Sequence, residues 1–267
     1  MRDLIGRHAR TARSFATLGA VVAALVIFAT APARAQSPVL PMPAADRQEI
    51  ATQLGAGVLG AALPSDPIHD ASAFFPLHER TLVFQVTSGS NAGNTQSLSL
   101  KRANRPGGAL AWRFKIAPDL AAFVTLTADG DLMMPTVSDL DEGVFVVTTP
   151  ANPLMLKGIR PGESRSFSQT VSVNYLDNPT KQDYSGNLNA VYTYVGTHAV
   201  TVPAGTFNTA VMRLAYQGKV GPASVSYTAW YFFAPGVGVV AMINHENVSA
   251  FWIYHVHTTT GKVLSVK

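Results

Sequence analysis

The chain of 267 residues contains no cysteine, and this absence excludes several kinds of protein. It cannot build a disulfide framework, use a thiolate nucleophile, or carry a lipid on an N-terminal cysteine. Small exported proteins often need disulfides because their cores are small. A chain of about 230 residues can bury enough apolar surface to fold without them.

Neither sign of charge is in excess once the first 35 residues are set aside. The whole chain carries 20 Lys and Arg against 16 Asp and Glu, but residues 1–35 contain five of the arginines and one of the aspartates. The remainder is therefore formally neutral. A formally neutral chain gives no support for binding to nucleic acid or anionic lipid, so nucleic-acid binding is not expected.

The first 35 residues have the pattern of a secretory signal peptide. Four arginines precede the uncharged stretch 15–30, and Ala33-Arg34-Ala35 supplies the small residues of a cleavage site. The apolar stretch is shorter than the roughly 20 residues that span a bilayer. We expect a cleaved signal over 1–35, a periplasmic mature protein that starts near Gln36, and no stable membrane span after cleavage. A retained N-terminal anchor is the alternative.

Residues 36–68 are predicted to form a linker with one short helix. Asp46 and Glu49 have the spacing of a capping box, and Ile50 and Leu54 recur at helical spacing. Glycines weaken the helical pattern beyond Leu54. Two interpretations stay open for this segment: an amphipathic lid, or an arm that is packed or frayed.

Residues 69–267 are predicted to form a single antiparallel β domain. Apolar and polar residues alternate over 110–116, and Asp129-Gly130 lies between two apolar runs, which is a strong signal for a hairpin. Similar breakers recur about every ten residues. The pattern indicates a mainly β fold.

The longest uncharged run of this domain is "AWYFFAPGVGVVAMI" at 229–243. Pro235-Gly236 divides it into two halves that are both too short to span a membrane, so the run predicts a hairpin of the core. In "VTVPAGTF" at 200–207, Pro203 predicts a turn that Gly205 closes with a bulge. Past this turn, Leu214 and Tyr216 are predicted to share one strand face.

The C-terminal 80 residues resemble a group of bacterial envelope domains of unknown function. The resemblance rests on "TVPAGTFNTAVMR", on "WYFFAPGVGVVAMI" and on "NPLMLKGIRPGESRSF" at 152–167. It implies a strongly curved antiparallel sheet or open half-barrel with a short N-terminal helix, similar to the fold of the periplasmic lipoprotein carriers. It implies no catalytic residues. The lipid-attachment cysteine of such proteins is missing here.

No metal or cofactor site is predicted. His255 and His257 lie on one face of a strand, and His198, His245 or Glu246 could complete a site. No third ligand has a recognisable spacing, so we interpret the two histidines as structural or exposed to solvent.

The acidic residues between 129 and 142 do not have the spacing of a calcium loop. These residues are Asp129, Asp131, Asp139, Asp141 and Glu142. No motif for a catalytic nucleophile or a phosphate-binding loop is present either, so the sequence does not indicate an enzyme.

Large aromatic residues are the candidate ligand contacts. They are Trp112, Phe114, Trp230, Phe232 and Trp252. The first hypothesis is that a hydrophobic small molecule or lipid binds in the hollow of the curved sheet, between the sheet and the N-terminal segment. A structural or interaction module with a filled core is the alternative, and an outer-membrane β-barrel ranks below both. The oligomeric state is left open.

Overall fold

A computed structural model describes residues 37–250 and 254–266, and antiparallel strands make up most of them. The two helices are α1 (Ala44–Leu54) and α2 (Ala71–Phe74). The strands are β1 (Leu59–Leu63), β2 (Arg80–Ser88), β3 (Thr95–Asn104), β4 (Leu110–Lys115), β5 (Leu120–Leu126), β6 (Leu132–Asp139), β7 (Val144–Met155), β8 (Ser164–Tyr175), β9 (Gln182–Val202), β10 (Gly205–Val220), β11 (Ala223–Ala234), β12 (Gly238–Ala250) and β13 (Tyr254–Val266).

Strands β2 to β13 form a closed barrel of twelve strands. Each strand pairs with the next along the chain, and the last strand, β13, pairs with β2 through Lys262↔Val86 and Leu264↔Phe84. The expected open half-barrel is therefore wrong. An open sheet would leave the backbone groups of β2 and β13 unpaired at two edges, and closure satisfies them. Strand β1 adds to β9 beyond the point where β8 ends.

The predicted hairpins are confirmed. Strands β5 and β6 are joined through Asp129-Gly130, and Gly130 has φ +91°, which a residue with a side chain rarely adopts. Val202 pairs directly with Gly205 across the turn at Pro203, so the turn is formed, but the bulge predicted at Gly205 is not; the register shift of this strand pair lies between Val211 and Met212. The uncharged run at 229–243 becomes the end of β11 and the start of β12, and both halves are buried.

The short N-terminal helix is confirmed, but the capping box is not formed. Helix α1 begins at Ala44, and its N-terminus has no side-chain cap. It packs on the outer side of the barrel with Ile50 and Leu54 buried, and the carbonyl of Gln53 accepts a hydrogen bond of 2.7 Å from Thr87 on β2. The helix is thus a packed outer layer over β12, β13 and β2.

One region of the barrel interior is filled by side chains. Phe75, which follows α2, makes edge-to-face contacts with Phe114 (5.3 Å between ring centroids) and Phe233 (6.3 Å). The guanidinium of Arg80 lies 5.3 Å from the centroid of the Phe75 ring. Only about 10 Å³ of void is left among these side chains. We call this the packed region.

The outer faces of β8 and β9 are mainly polar. Ser164, Ser166, Ser168 and Thr170 are exposed along β8, whereas the alternate residues Gln169 and Val171 are buried. The burial of every second residue shows which face of these strands points inward.

Within the described part of the chain, neither helix is long and apolar enough to cross a bilayer.

Candidate functional site

A second void of about 420 Å³ lies inside the barrel, and we call it the cavity. Its apolar wall includes Leu120, Val144, Val146, Leu188 and Leu214. On β7, Val144, Val146 and Thr148 all line the cavity, so the alternation of this strand fixes their inward direction. No described residue of the segment 36–68 lines the cavity. The sequence analysis had placed the binding site between the sheet and the N-terminal segment. The cavity lies elsewhere, inside the barrel.

Three tyrosines form one side of the cavity. Tyr216 and Tyr227 are cross-strand partners on β10 and β11, and their rings stack with centroids 4.7 Å apart. The Tyr227 hydroxyl donates to Asn244 Oδ1 at 2.9 Å and lies 3.4 Å from the hydroxyl of Tyr231. Burial raises the pKa of all three hydroxyls. The tyrosine side of the cavity is therefore neutral at physiological pH.

Three carboxylates line the cavity, namely Asp119 just before β5, Asp139 at the end of β6 and Glu246 within β12, and we call them the acidic rim. Asp139 is the last residue of β6, and its Oδ1 accepts hydrogen bonds from the backbone N–H groups of Asp141 and Glu142. Desolvation raises the pKa of Glu246, and repulsion from Asp139 adds to this. Among the described residues, no cation forms an ion pair with any of the three.

Buried polar groups without partners lie at another part of the cavity wall. Thr136 and Thr148 line the cavity with 1% and 7% of their surface exposed, and neither hydroxyl has a hydrogen-bond partner among the described residues. Asn152 also lines the cavity and accepts a hydrogen bond of 3.0 Å from Gln169 Nε2. Buried polar groups are usually paired, so unpaired hydroxyls at a cavity indicate a place for a water molecule or a polar ligand group.

Lys262 is buried next to the cavity and does not line it. Its side chain points from β13 into the barrel. Its ammonium donates a hydrogen bond of 2.8 Å to the carbonyl oxygen of Ile116, a residue that lines the cavity. Only 4% of Lys262 is exposed. Burial lowers the pKa of Lys262 to about 8, and the Asp119 carboxylate opposes this shift.

Four of the five predicted ligand contacts do not line the cavity. Phe114 belongs to the packed region, and Phe232 is fully buried in the core. Trp112 is half-buried beneath the guanidinium of Arg102, and Trp230 lies beneath that of Arg213. None of these four residues lines the cavity.

Trp252 lies outside the described residues. That any of the five predicted aromatics contacts a ligand stays a prediction. Of the residues that do line the cavity, Leu214 and Tyr216 were predicted from the sequence to share one strand face. Tyr227 and Tyr231 were not predicted as site residues.

The histidines considered as metal ligands lie in different surroundings. His257 is exposed, and the side chain of His255 is outside the described residues. His245 contacts Glu49 at 3.1 Å and Thr259 at 3.0 Å, whereas His198 is fully buried and burial lowers its pKa. In the part of the chain that the structure describes, no group of three or more His, Asp and Glu side chains could hold a metal ion.

Comparison with known proteins gives weak structural similarities only. No family model matches the chain, and no curated protein matches its sequence. A candidate lipoprotein of Parabacteroides distasonis is 15% identical, with a TM-score of 0.33 over 74% of this chain and 99% of that chain. A candidate exported protein with a YmcC-like fold from Bacteroides fragilis is 12% identical, with a TM-score of 0.37 over 76% and 98%.

The hypothetical lipoprotein YmcC of Escherichia coli is 10% identical, with a TM-score of 0.36 over 75% of this chain and 90% of that chain. At these scores and identities, the three neighbours establish neither a shared function nor a close structural relationship.

Proposed function

We propose that the protein is an exported envelope protein that binds an apolar or amphipathic small molecule in the cavity of its barrel. The observation that carries this proposal is the cavity itself. Its volume of about 420 Å³ falls in the range of about 300–1,000 Å³ that is usual for ligand pockets. Its wall is largely apolar, with a few polar groups at defined places, as in pockets that bind small molecules.

The polar outer faces of β8 and β9 favour this proposal over an outer-membrane barrel. A barrel in a bilayer carries apolar residues on the outside and polar residues in the lumen. Here the serines of β8 point outward, while Leu188, Ala190 and Tyr192 of β9 are buried inside. The unfilled interior favours ligand binding over a structural module with a filled core.

Binding is tested with amphipathic probes and a variant whose cavity is filled. Val146→Trp combined with Leu188→Trp places two large rings in the cavity, because both residues line it. The matched control, Asn189→Trp combined with Val191→Trp, places the same rings on the exposed side of β9. Native mass spectrometry and calorimetric titration with twelve-carbon amphipaths measure the occupancy and the Kd.

We expect the parent and the control variant to bind a probe with the same Kd, and the filled variant to bind about tenfold more weakly or not at all, a loss of about 1.4 kcal/mol or more. Thermal unfolding shows whether the filled variant still folds. Equal binding by the filled and parent proteins, or no binding of any probe by the parent, would refute ligand binding in the cavity.

Export to the periplasm is the second part of the proposal, and its support is the pattern of residues 1–35. The expected mature protein begins at or near Gln36. N-terminal sequencing of the protein recovered from the periplasmic fraction tests this, and recovery of protein that still begins at Met1 would contradict it.

A further inference from the structure

The acidic rim is more negative than the binding of a hydrocarbon chain requires. Asp119, Asp139 and Glu246 line one cavity, and none is within ion-pair distance of a cation among the described residues. Carboxylates that share a site without a neutralising cation repel one another, as Asp139 repels Glu246. A positive group placed among them would relieve this repulsion.

The aromatic side of the cavity suits the same kind of group. Tyr216 and Tyr227 present stacked, neutral rings beside Glu246, which is the cross-strand partner of Tyr227 on β12. Aromatic rings attract ammonium groups through their quadrupole, most strongly where water is excluded. Carboxylates and tyrosine rings thus lie together at one part of the wall.

The buried hydroxyls of Thr136 and Thr148 are an independent sign that the cavity is built for an occupant. Both residues line the cavity, and both hydroxyls are without a partner among the residues described. Alternation with Val144 and Val146 directs the Thr148 side chain inward. A ligand that carries a second polar group along its chain could bond these hydroxyls.

Lys262 does not turn the cavity into an anion site. Its ammonium already donates to the carbonyl oxygen of Ile116, and its side chain is almost completely buried outside the lining. The three carboxylates line the cavity, whereas this ammonium does not, so an anionic head at the rim would be repelled by them. The charges therefore disfavour a fatty-acid carboxylate and favour a cation.

We propose that the ligand of the cavity is an amphipathic molecule with a cationic, ammonium-type head, held at the acidic rim beside Tyr216 and Tyr227. This inference rests on the proposed function, because it requires that the cavity binds an amphipath. It adds the chemical class of the head group and the residues that select it.

The test compares three probes that share a twelve-carbon chain: dodecylammonium and dodecanoate below their micelle concentrations, and dodecanol below its solubility limit. We expect dodecylammonium to bind about tenfold more tightly than dodecanol, and dodecanoate most weakly, since a tenfold ratio corresponds to about 1.4 kcal/mol of head-group interaction. Glu246→Gln and Asp119→Asn should each reduce the preference for dodecylammonium over dodecanol several-fold. Asp129→Asn, at an exposed turn away from the cavity lining, is the matched control and should not change this preference.

The outcomes separate the two proposals. If no probe binds to the parent protein, ligand binding itself fails. If all three probes bind equally, or if the rim variants keep the full preference for dodecylammonium, the cationic head group is refuted while ligand binding stands. Tightest binding of dodecanoate, lost in Lys262→Met, would also refute it and would assign an anionic ligand instead.

Discussion

The packed region and the cavity occupy the same barrel and differ in what fills them. The packed region leaves about 10 Å³ of void, whereas the cavity measures about 420 Å³. About eight strands enclose an interior that their own side chains can fill, and a barrel of twelve is wider. In the packed region, Phe75 comes from outside the strands and fills the extra width. The described residues supply no such filler to the cavity.

Strand β11 contributes to both regions and changes in character along its length. Phe233 faces Phe75 in the packed region, whereas Tyr227 and Tyr231 line the cavity. Tyrosine keeps an apolar ring and adds a hydroxyl that can bond water or a ligand. The change from phenylalanine to tyrosine along β11 thus coincides with the boundary between the packed region and the cavity.

The largest expected effect on stability comes from removing the Phe75 ring, which fills the packed region. Phe75→Ala should lower the free energy of unfolding by about 3–5 kcal/mol, because it deletes a buried ring from a region without free space. Leu188→Ala, at the wall of an existing cavity, should cost less, about 2 kcal/mol, since little new void is created. Urea unfolding measures both, and equal losses would contradict the distinction between the two regions.

The buried ammonium of Lys262 should give the barrel an alkaline rise in stability. Its folded pKa of about 8 lies below the value of about 10.4 in an unfolded chain. The unfolded state therefore binds more protons in this window, and stability rises with pH. We expect this gain to be about 1.5 kcal/mol between about pH 8 and pH 9.5, taken as the difference between the parent and Lys262→Met, because the raised pKa values of the buried tyrosines lower stability in the same window.

The matched variants for this prediction are Lys262→Met and Lys101→Met. The first should abolish the rise, whereas the second should keep it, because Lys101 is exposed on β3. Urea unfolding at several pH values measures the slope. An equal pH dependence of the parent and Lys262→Met between pH 8 and pH 9.5 would show that Lys262 is not desolvated as described.

The smallest expected effect concerns the tyrosine side of the cavity. Tyr227→Phe removes the hydrogen bond to Asn244 and should cost about 1 kcal/mol of unfolding free energy. Tyr184→Phe, at an exposed position of β9, is the control and should cost almost nothing. A Tyr227→Phe variant as stable as the parent would mean that water or a ligand replaces the lost bond.

The sequence predicted the local parts of this fold, because turns leave a local signal. The turns at Gly130, Pro203 and Gly236 were recognisable from glycine and proline between apolar runs, and the helix over 44–54 from its spacing. The pairing of β2 with β13 left no such signal. Alternation shows that a strand has two different faces, but it does not tell which distant strand pairs with it.

The cavity was harder to predict than the fold, because a void is an absence of side chains. The aromatic residues chosen from the sequence were the largest apolar ones, and large apolar side chains mostly fill cores. Tyr227 and Tyr231 share a strand face and both carry hydroxyls, a weak signal that could have been used. The gathering of Asp119, Asp139 and Glu246 depends on strands that are distant in sequence, so only the folded barrel reveals it.

The pairing of β13 with β2 sets the order in which the molecule can fold. The hydrogen bond from Ser265 to the carbonyl of Val83 joins residues 182 positions apart. Until the end of the chain arrives, β2 presents an open edge that can pair with another molecule. Contacts of such long range slow folding and prolong that exposure. Loss of β13 should therefore leave β2 and β12 with open edges and make the protein prone to aggregation.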